Sequence, residues 1–275
     1  MVLGVVQGLT EFAPVSSSGH LILLPWLLGW RLFAGEPELE KAFEVALHAG
    51  TFLGGLVYFG PEVGRYVQAF GRFLLRRSVR HHEERLAWFL AVATVPGLVV
   101  GATAEGFIEE RLSNPWLVAT MLATFGVLLF VADRWAPASR RLHQLRLRDA
   151  LLIGLAQAVA LQPGVSRAGV TITAGRALGL DRASAARFSF LLSLPIVAGA
   201  GLAEGLDLAR AGLPPGAAWP FVLGIGAAAV SGFLVIWGLL AYVRARPFTP
   251  FVLYRLALAA LVLSLLLAGI RSPGT

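Results

Sequence analysis

The hydrophobic positions of the chain form six long runs separated by short polar stretches. These runs cover residues 43–60, 86–104, 115–132, 188–203, 217–241 and 250–269. At about 1.5 Å per residue, helices of this length are near what is needed to cross a hydrocarbon core about 30 Å thick. The pattern therefore predicts six transmembrane helices.

Two further apolar segments, residues 4–20 and 154–169, are interrupted by proline, glycine and clustered polar residues. Proline and free polar groups break a plain spanning helix, and irregular backbone is tolerated at membrane depth only where protein surrounds it. Each segment is predicted to form a pair of half-helices that enters the membrane and turns back.

The two interrupted segments are copies of each other, related by an offset of 150 residues. The matching pairs are Gly4 and Gly154, Gln7 and Gln157, Val15 and Val165, Ser16 and Ser166, and Gly19 and Gly169. The copies differ in chemistry, because Glu11 and His20 occur only in the first and Arg167 only in the second. An acid, a histidine and an arginine on related segments predict one composite site.

Composition supports a membrane protein, with 57% hydrophobic and 14% charged residues and no cysteine. The net charge of +7 does not indicate a nucleic-acid partner, because the arginines lie in short loops between the predicted spans. By the positive-inside rule these loops face the cytoplasm, and the acidic or neutral loops face outward.

Following the loops along the chain gives each half an odd number of crossings, so the two halves are predicted to be inverted relative to each other. The expected fold is an all-α polytopic membrane protein with an inverted-topology repeat, six transmembrane helices and two re-entrant broken-helix pairs. Within one membrane domain, 1–275, the expected parts are a first repeat, 1–133, a basic cytoplasmic linker, 134–148, and a second repeat, 149–270.

Glu11 and Gln7 are four residues apart and share one face of a helix. A carboxylate inside a membrane protein usually has a partner or a function. Glu11 is therefore a candidate metal ligand or general base, with Gln7 as a neutral oxygen donor. The alternative is a glutamate that only bonds a neighbouring helix.

A serine cluster, Ser16, Ser17 and Ser18, precedes Gly19 and His20 where a new helix begins. Serines at a helix start cap free N–H groups, but the same N–H groups bind anions and a hydroxyl there can act as a nucleophile. Ser16 and Ser17 lie four and three residues before His20, so either hydroxyl is expected near the imidazole.

The second copy carries Ser166, Arg167, Gly169 and Thr171 at the equivalent turn. Arginine suits phosphate because its planar fork donates two parallel hydrogen bonds. The alternative for Arg167 is an ion pair with Glu11 and nothing more. Ser166 and Thr171 either donate to the same anion or serve as ordinary helix hydroxyls.

Three further polar residues lie in the predicted spans. Glu44 and His48 are expected either to support the site from behind or to lie at the outer interface. Arg255 is predicted to extend from the last span toward lipid headgroups.

The combination of acid, hydroxyls, histidine and arginine favours phosphoryl chemistry on an amphiphilic substrate. The chain resembles the undecaprenyl-pyrophosphate phosphatases, or bacitracin-resistance family, over nearly its whole length. The resemblance lies in the stretches 7–12, 14–20, 163–169 and 251–255. It implies hydrolysis of a C55 isoprenyl pyrophosphate in the bacterial cytoplasmic membrane, a divalent cation, Mg²⁺ or Ca²⁺, and a site that opens to the outer face.

By the same resemblance Glu11 matches an acidic position of the family, Ser16, Ser17 and His20 its serine-histidine motif, and Ser166, Arg167 and Thr171 its phosphate-binding stretch. Three hypotheses for the attacking group stay open: Ser17 activated by Glu11, His20, or a metal-bound water. The alternative function is a transporter or flippase of a phosphorylated polyprenyl lipid, since inverted repeats also build transporters. The oligomeric state is open, with a homodimer as one option.

Overall fold

A computed structural model describes residues 1–30, 32–76, 81–211 and 216–272, and this part of the chain is helical with no strand. Short 3₁₀ helices at Leu32–Gly35 and Leu142–Gln144 lie in two of the connections. The α-helices of the described part are α1 Val2–Glu11, α2 Ser17–Leu28, α3 Pro37–Arg76, α4 His82–Leu112, α5 Pro115–Trp135, α6 Leu147–Val159, α7 Arg167–Ala177, α8 Arg182–Ala211, α9 Ala218–Tyr242 and α10 Thr249–Leu267.

Five of the described helices, α3, α4, α5, α9 and α10, are long and apolar enough to cross a membrane. They carry large apolar side chains on their outer surface, such as Val57 and Trp237, as expected for a lipid-facing surface. The prediction of a polytopic membrane protein is therefore confirmed. The sixth predicted span, 188–203, lies within α8, and part of it falls outside the side chains that the structure describes.

The helices at the first connection extend beyond their predicted apolar runs. α3 covers 40 residues, although the run predicts only 43–60. Its charged C-terminal end pairs with the start of α4, where Arg65 lies 3.3 Å from Glu83 and Arg72 lies 3.6 Å from Glu84. The hydrophobic pattern alone predicts a loop after residue 60, but this segment is helical and is joined to α4 by ion pairs.

Two short helices, α1 and α6, pack closely on the opposite half of the chain. α1 lies against α9, and α6 lies against α4. A methyl group on Gly4 would lie 2.4 Å from the carbonyl oxygen of Gly224, and one on Gly154 would lie 2.5 Å from that of Ala93. The glycines at equivalent positions of the repeat therefore allow the same kind of close helix approach.

A buried ion cluster holds the end of α7 that is remote from Arg167. The carboxylate of Asp133, near the end of α5, accepts hydrogen bonds from Arg176 Nε at 3.2 Å and Arg182 Nε at 2.7 Å. It also accepts the backbone N–H of Phe248, just before α10, at 3.0 Å. One carboxylate therefore joins α5, α7, α8 and α10, which fixes the direction in which α7 points.

Candidate active site

The turn between α1 and α2 brings the serine cluster back beside Glu11. Pro14 lies in this turn, and the following Ser16 adopts a positive φ of 76° as the N-cap of α2. Its Oγ accepts the backbone N–H of Gly19 at 3.3 Å. A positive φ is uncommon for a residue with a side chain and persists only where the surrounding contacts hold it.

The turn between α6 and α7 has the same local conformation. Ser166 has a φ of 74° and caps α7, accepting the N–H of Gly169 at 3.0 Å. The two turns also touch, because the N–H of Gly164 donates to Ser16 Oγ at 3.1 Å. The copies found in the sequence are therefore two similar turns in contact.

Glu11 is the centre of the site and is buried. Its Oε2 accepts hydrogen bonds from Ser17 Oγ at 2.5 Å and Gln7 Nε2 at 3.0 Å. Its Oε1 accepts Arg167 Nη2 at 2.6 Å, and His48 Nε2 lies 3.6 Å from Oε2. The structure thus brings together a carboxylate, a hydroxyl and a guanidinium from the two turns.

Two polar atoms of this cluster have unused hydrogen-bonding capacity. Arg167 Nη1 and Gln7 Oε1 are buried, and neither has a hydrogen-bond partner in the described part of the chain. Burying such groups without partners is unfavourable, which suggests that a ligand satisfies them. Arg167 Nη1 can donate to a phosphate oxygen, while Gln7 Oε1 can accept a hydrogen bond or bind a cation.

The donor set fits a hard divalent cation that keeps other ligands of its own. The described residues contain no group of three or more His, Cys, Asp or Glu side chains arranged for a metal. Glu11 and Gln7 supply one carboxylate and one neutral oxygen. Mg²⁺ is commonly held by one or two carboxylates together with waters and substrate phosphates, so these residues suffice only with the substrate present.

In the described part of the chain neither ring nitrogen of His20 bonds a serine hydroxyl, although the spacing would allow such a bond. Its Nδ1 lies 2.6 Å from the carbonyl oxygen of Ser16, and its Nε2 lies 2.7 Å from the hydroxyl of Tyr254. Since a carbonyl only accepts, Nδ1 carries the proton and Nε2 accepts from the tyrosine. The i, i+4 spacing places the His20 ring next to Ser16, but the ring bonds the backbone carbonyl of Ser16 and not its hydroxyl.

Arg255 does not extend toward lipid headgroups, which corrects the prediction from its position in the last span. Its side chain is fully buried, and its hydrogen-bond partners among the described residues are all backbone carbonyls. They belong to Pro14, Met121, Leu122, Gly164 and Val165. The arginine therefore lies between the two turns rather than at the membrane surface.

The other predicted substrate contacts lie at the turns but already have partners within the protein. Ser18 Oγ is 3.4 Å from Ser16 Oγ, and Thr171 Oγ1 is 2.7 Å from Ser189 Oγ. Gly169 faces Arg255, since a methyl group there would lie 2.8 Å from Nη1. Substrate binding by Ser16, Ser18, Gly19, Ser166, Gly169 and Thr171 stays a prediction.

Of the second predicted pair, Glu44 and His48, the histidine lies beside Glu11. His48 Nδ1 lies 2.9 Å from the backbone carbonyl of Glu44, which leaves Nε2 directed at the Glu11 carboxylate. His48 thus lies next to Glu11, and a supporting role for Glu44 and His48 stays a prediction. The contact between His20 and Tyr254 was missed, because 234 residues separate the two and no local spacing relates them.

Comparison of the sequence with known proteins shows the family of the chain. The chain is 47% identical over 269 residues to an undecaprenyl-diphosphatase of Desulforudis audaxviator, covering 97% of each chain. It is 47% identical over 268 residues to one of Geobacter sulfurreducens, again covering 97% of each. The profile of the family described as bacitracin resistance protein BacA matches residues 1–261. With both turns inside that match, the chain belongs to the BacA family.

Proposed function

We propose that the protein hydrolyses undecaprenyl pyrophosphate to undecaprenyl phosphate and inorganic phosphate, which returns the lipid carrier to cell-wall synthesis. The observation that carries this proposal is the hydroxyl of Ser17, 2.5 Å from a carboxylate that also contacts Arg167. The relatives named undecaprenyl-diphosphatase support the substrate.

In the proposed reaction Ser17 Oγ attacks the terminal phosphorus and transfers its proton to Glu11 Oε2. The new bond joins Oγ to phosphorus, and the bond from that phosphorus to the bridging oxygen breaks, which releases undecaprenyl phosphate. Glu11 then releases the proton taken from Ser17 to the solvent. Water attacks the phosphorus of the phosphoserine and gives a proton to Glu11, the bond from phosphorus to Oγ breaks, Glu11 returns that proton to Ser17 Oγ, and inorganic phosphate leaves. A hydrogen-bonded nucleophile and base are the pairing that such a step requires.

Arg167 is proposed to bind the pyrophosphate. Its unpartnered Nη1 and its Nη2 can donate two parallel bonds to phosphate oxygens once Nη2 is shared with or released from Glu11. We propose that Glu11 and Gln7 hold Mg²⁺ or Ca²⁺, which would neutralise phosphate charge when bound. His20 is proposed to support the first turn, since both of its ring nitrogens are engaged elsewhere.

We also infer an inverted repeat with two re-entrant turns, in a multi-pass protein of the bacterial cytoplasmic membrane whose site opens outward. The reciprocal packing of α1 with α9 and of α6 with α4 supports this inference. So do the matching cap conformations of Ser16 and Ser166. Turns that meet inside a membrane let a lipid tail stay in the bilayer while its charged head reaches polar groups.

The decisive experiment is phosphate release by purified protein from undecaprenyl pyrophosphate, with and without a chelator. Glu11→Ala and Ser17→Ala should each lower turnover by at least about 10³-fold. Ser264→Ala is the matched control, because among the described residues its hydroxyl bonds only the carbonyl of Ala260, within α10. Unchanged turnover in the presence of the chelator would contradict the proposed role of a divalent cation.

The same assay separates the enzyme from the alternative lipid transporter or flippase. A transporter would bind the lipid pyrophosphate and release no phosphate. For the nucleophile, the phosphoenzyme formed from labelled substrate should carry its label on Ser17. Label on His20, or rapid turnover with no labelled protein, would contradict Ser17 as the nucleophile.

A further inference from the structure

We propose that Tyr254 and Arg255, adjacent residues of α10, are positioning residues that hold both turns of the site in register. The inference rests on the proposed function, because it assigns these residues a role in phosphate release. Neither side chain contacts Glu11, Ser17 or Arg167 in the described hydrogen bonds, so each acts through the turn that it binds.

Arg255 is the direct link between the turns. One of its guanidinium nitrogens, Nη1, donates to Pro14 O of the first turn at 3.2 Å. The other, Nη2, donates to Gly164 O at 2.9 Å and Val165 O at 3.1 Å in the second turn. Nε is fixed by Leu122 O of α5 at 3.0 Å. The rigid fork therefore sets the distance between the turns.

Three of the carbonyls that Arg255 binds lie in the two turns, those of Pro14, Gly164 and Val165, whereas the other two lie inside α5. The last carbonyls of a helix and those of a turn have no helical N–H to accept, and burying them unpaired is unfavourable. Gly169 permits this arrangement, because a methyl group there would lie 2.8 Å from Nη1. A buried cation that binds only carbonyls thus explains both the arginine and the glycine.

Tyr254 reaches the first turn through His20. Its hydroxyl donates to His20 Nε2 at 2.7 Å, and the two rings are stacked with 5.5 Å between their centroids. His20 Nδ1 in turn donates to the carbonyl of Ser16 at 2.6 Å. Ser16 has the positive φ and directly precedes Ser17, so this relay fixes the backbone from which the attacking hydroxyl extends.

The two turns are consequently held differently by neighbouring residues of one helix. Ser166, which also has a positive φ, follows Val165, whose carbonyl Arg255 binds directly. Ser16 is held through the imidazole that only the first copy carries. Because attack requires the reacting atoms to be aligned to well within 1 Å, α10 is placed to control the alignment of Ser17 with Arg167.

The test is Tyr254→Phe, which removes only the hydroxyl, with Tyr242→Phe as the matched control. The Tyr242 hydroxyl bonds the exposed carbonyl of Pro247, which belongs to neither turn. We expect Tyr254→Phe to lower kcat about 10-fold and to change KM less than 2-fold, since a misplacement of 1 Å lowers rates by about 10²-fold. The control Tyr242→Phe should have the kcat and KM of the wild type.

A spectroscopic measurement separates this role from a general loss of stability. The chain has five histidines, so ¹⁵N-histidine labelling gives a small set of imidazole signals, with that of His20 assigned from its loss in His20→Gln. The wild-type signal should report an Nδ1-protonated ring with a hydrogen-bonded Nε2. In Tyr254→Phe the Nε2 resonance should shift, while the other histidines stay unchanged.

Several outcomes would overturn the proposal. Normal kcat in Tyr254→Phe, or a lowered kcat with an unchanged His20 spectrum, excludes the relay. Arg255→Lys keeps the charge but not the fork, and should lower kcat by about 10²-fold; near-normal turnover excludes the link between the turns. If the wild type releases no phosphate, the proposed function fails, whereas the His20 spectrum still decides the contact with Tyr254.

Discussion

The two turns share a backbone and differ in chemistry. Each is capped by a serine with a φ near 75°, Ser16 at 76° and Ser166 at 74°. The first turn presents Glu11 and Ser17, and the second presents Arg167 at the position equivalent to Ser17. The repeat therefore supplies two similar supports, and the divergence places the proposed base and nucleophile opposite the arginine that we propose binds phosphate.

The largest expected effect comes from exchanging the equivalent residues in the double variant Ser17→Arg and Arg167→Ser. In the wild type, the terminal Nη2 of Arg167 contacts Glu11. A serine at position 167 is too short to make this contact. We expect phosphate release to fall by at least about 10³-fold. Turnover within tenfold of wild type would mean that the turns are interchangeable, and an unchanged melting temperature in detergent would exclude unfolding as the cause.

A smaller loss is expected from Arg167→Lys, which keeps the charge of the second turn. Lysine can replace the bond to Glu11 but cannot supply the planar pair of donors of the arginine. In the wild type, Nη1 of this pair has no partner in the described part of the chain and is free to bind phosphate. Losing one such donor to a reacting phosphate should lower kcat by about 10²-fold. Near-normal kcat would show that the second turn contributes charge alone, which a titration of rate against ionic strength would check.

The helices that lead into the turns should respond equally to substitution. Gly4→Ala and Gly154→Ala each place a methyl group against a backbone carbonyl, 2.4 and 2.5 Å away. Each should lower the free energy of unfolding by about 1–3 kcal/mol, as overpacking does. A clear difference between the two in thermal unfolding would contradict the reciprocal packing of α1 and α6.

The control for this pair is Gly64→Ala in α3, where a methyl group would meet nothing within 4 Å. Alanine is favoured over glycine inside a helix by about 0.5–1 kcal/mol. We therefore expect an equal or higher melting temperature. A loss there comparable to that of Gly4→Ala would mean that the effect arises from glycine replacement in general and not from the close helix contact.

The sequence predicted the turns better than their surroundings. The repeat could be read because the same residue types recur at a fixed offset, and the cluster of Glu11, Ser17 and Arg167 followed from that match. Hydropathy marks which part of α3 is apolar but not where its helix ends, because the remainder carries charged residues such as Arg65 and Arg72.

The position of Arg255 could not be predicted from the same pattern. Its place along the last span is evident from the sequence, but which side of α10 faces the turns depends on tertiary packing. An arginine bonded only to carbonyls has no acidic partner whose identity would reveal it. The same holds for Tyr254, whose partner His20 lies on a helix at the other end of the chain.

The smallest expected difference is between the two caps themselves. Ser16→Ala and Ser166→Ala each remove one N-cap bond, to Gly19 and Gly169 respectively, and should each lower the free energy of unfolding by about 1 kcal/mol. Ser16 Oγ also accepts the N–H of Gly164 at 3.1 Å, so its loss leaves a second buried donor unpaired.

Leaving a buried donor unpaired lowers the free energy of unfolding further, by about 1–3 kcal/mol. The Ser16→Ala variant should therefore melt at a lower temperature than Ser166→Ala. It should also lower kcat more, because the lost bond joins the two turns and the reaction needs groups from both. Equal melting temperatures and equal kcat would contradict a contribution from this bond. The alignment of the turns would then not depend on this bond, and Arg255→Lys would lower kcat equally in the Ser16→Ala background and in the wild type.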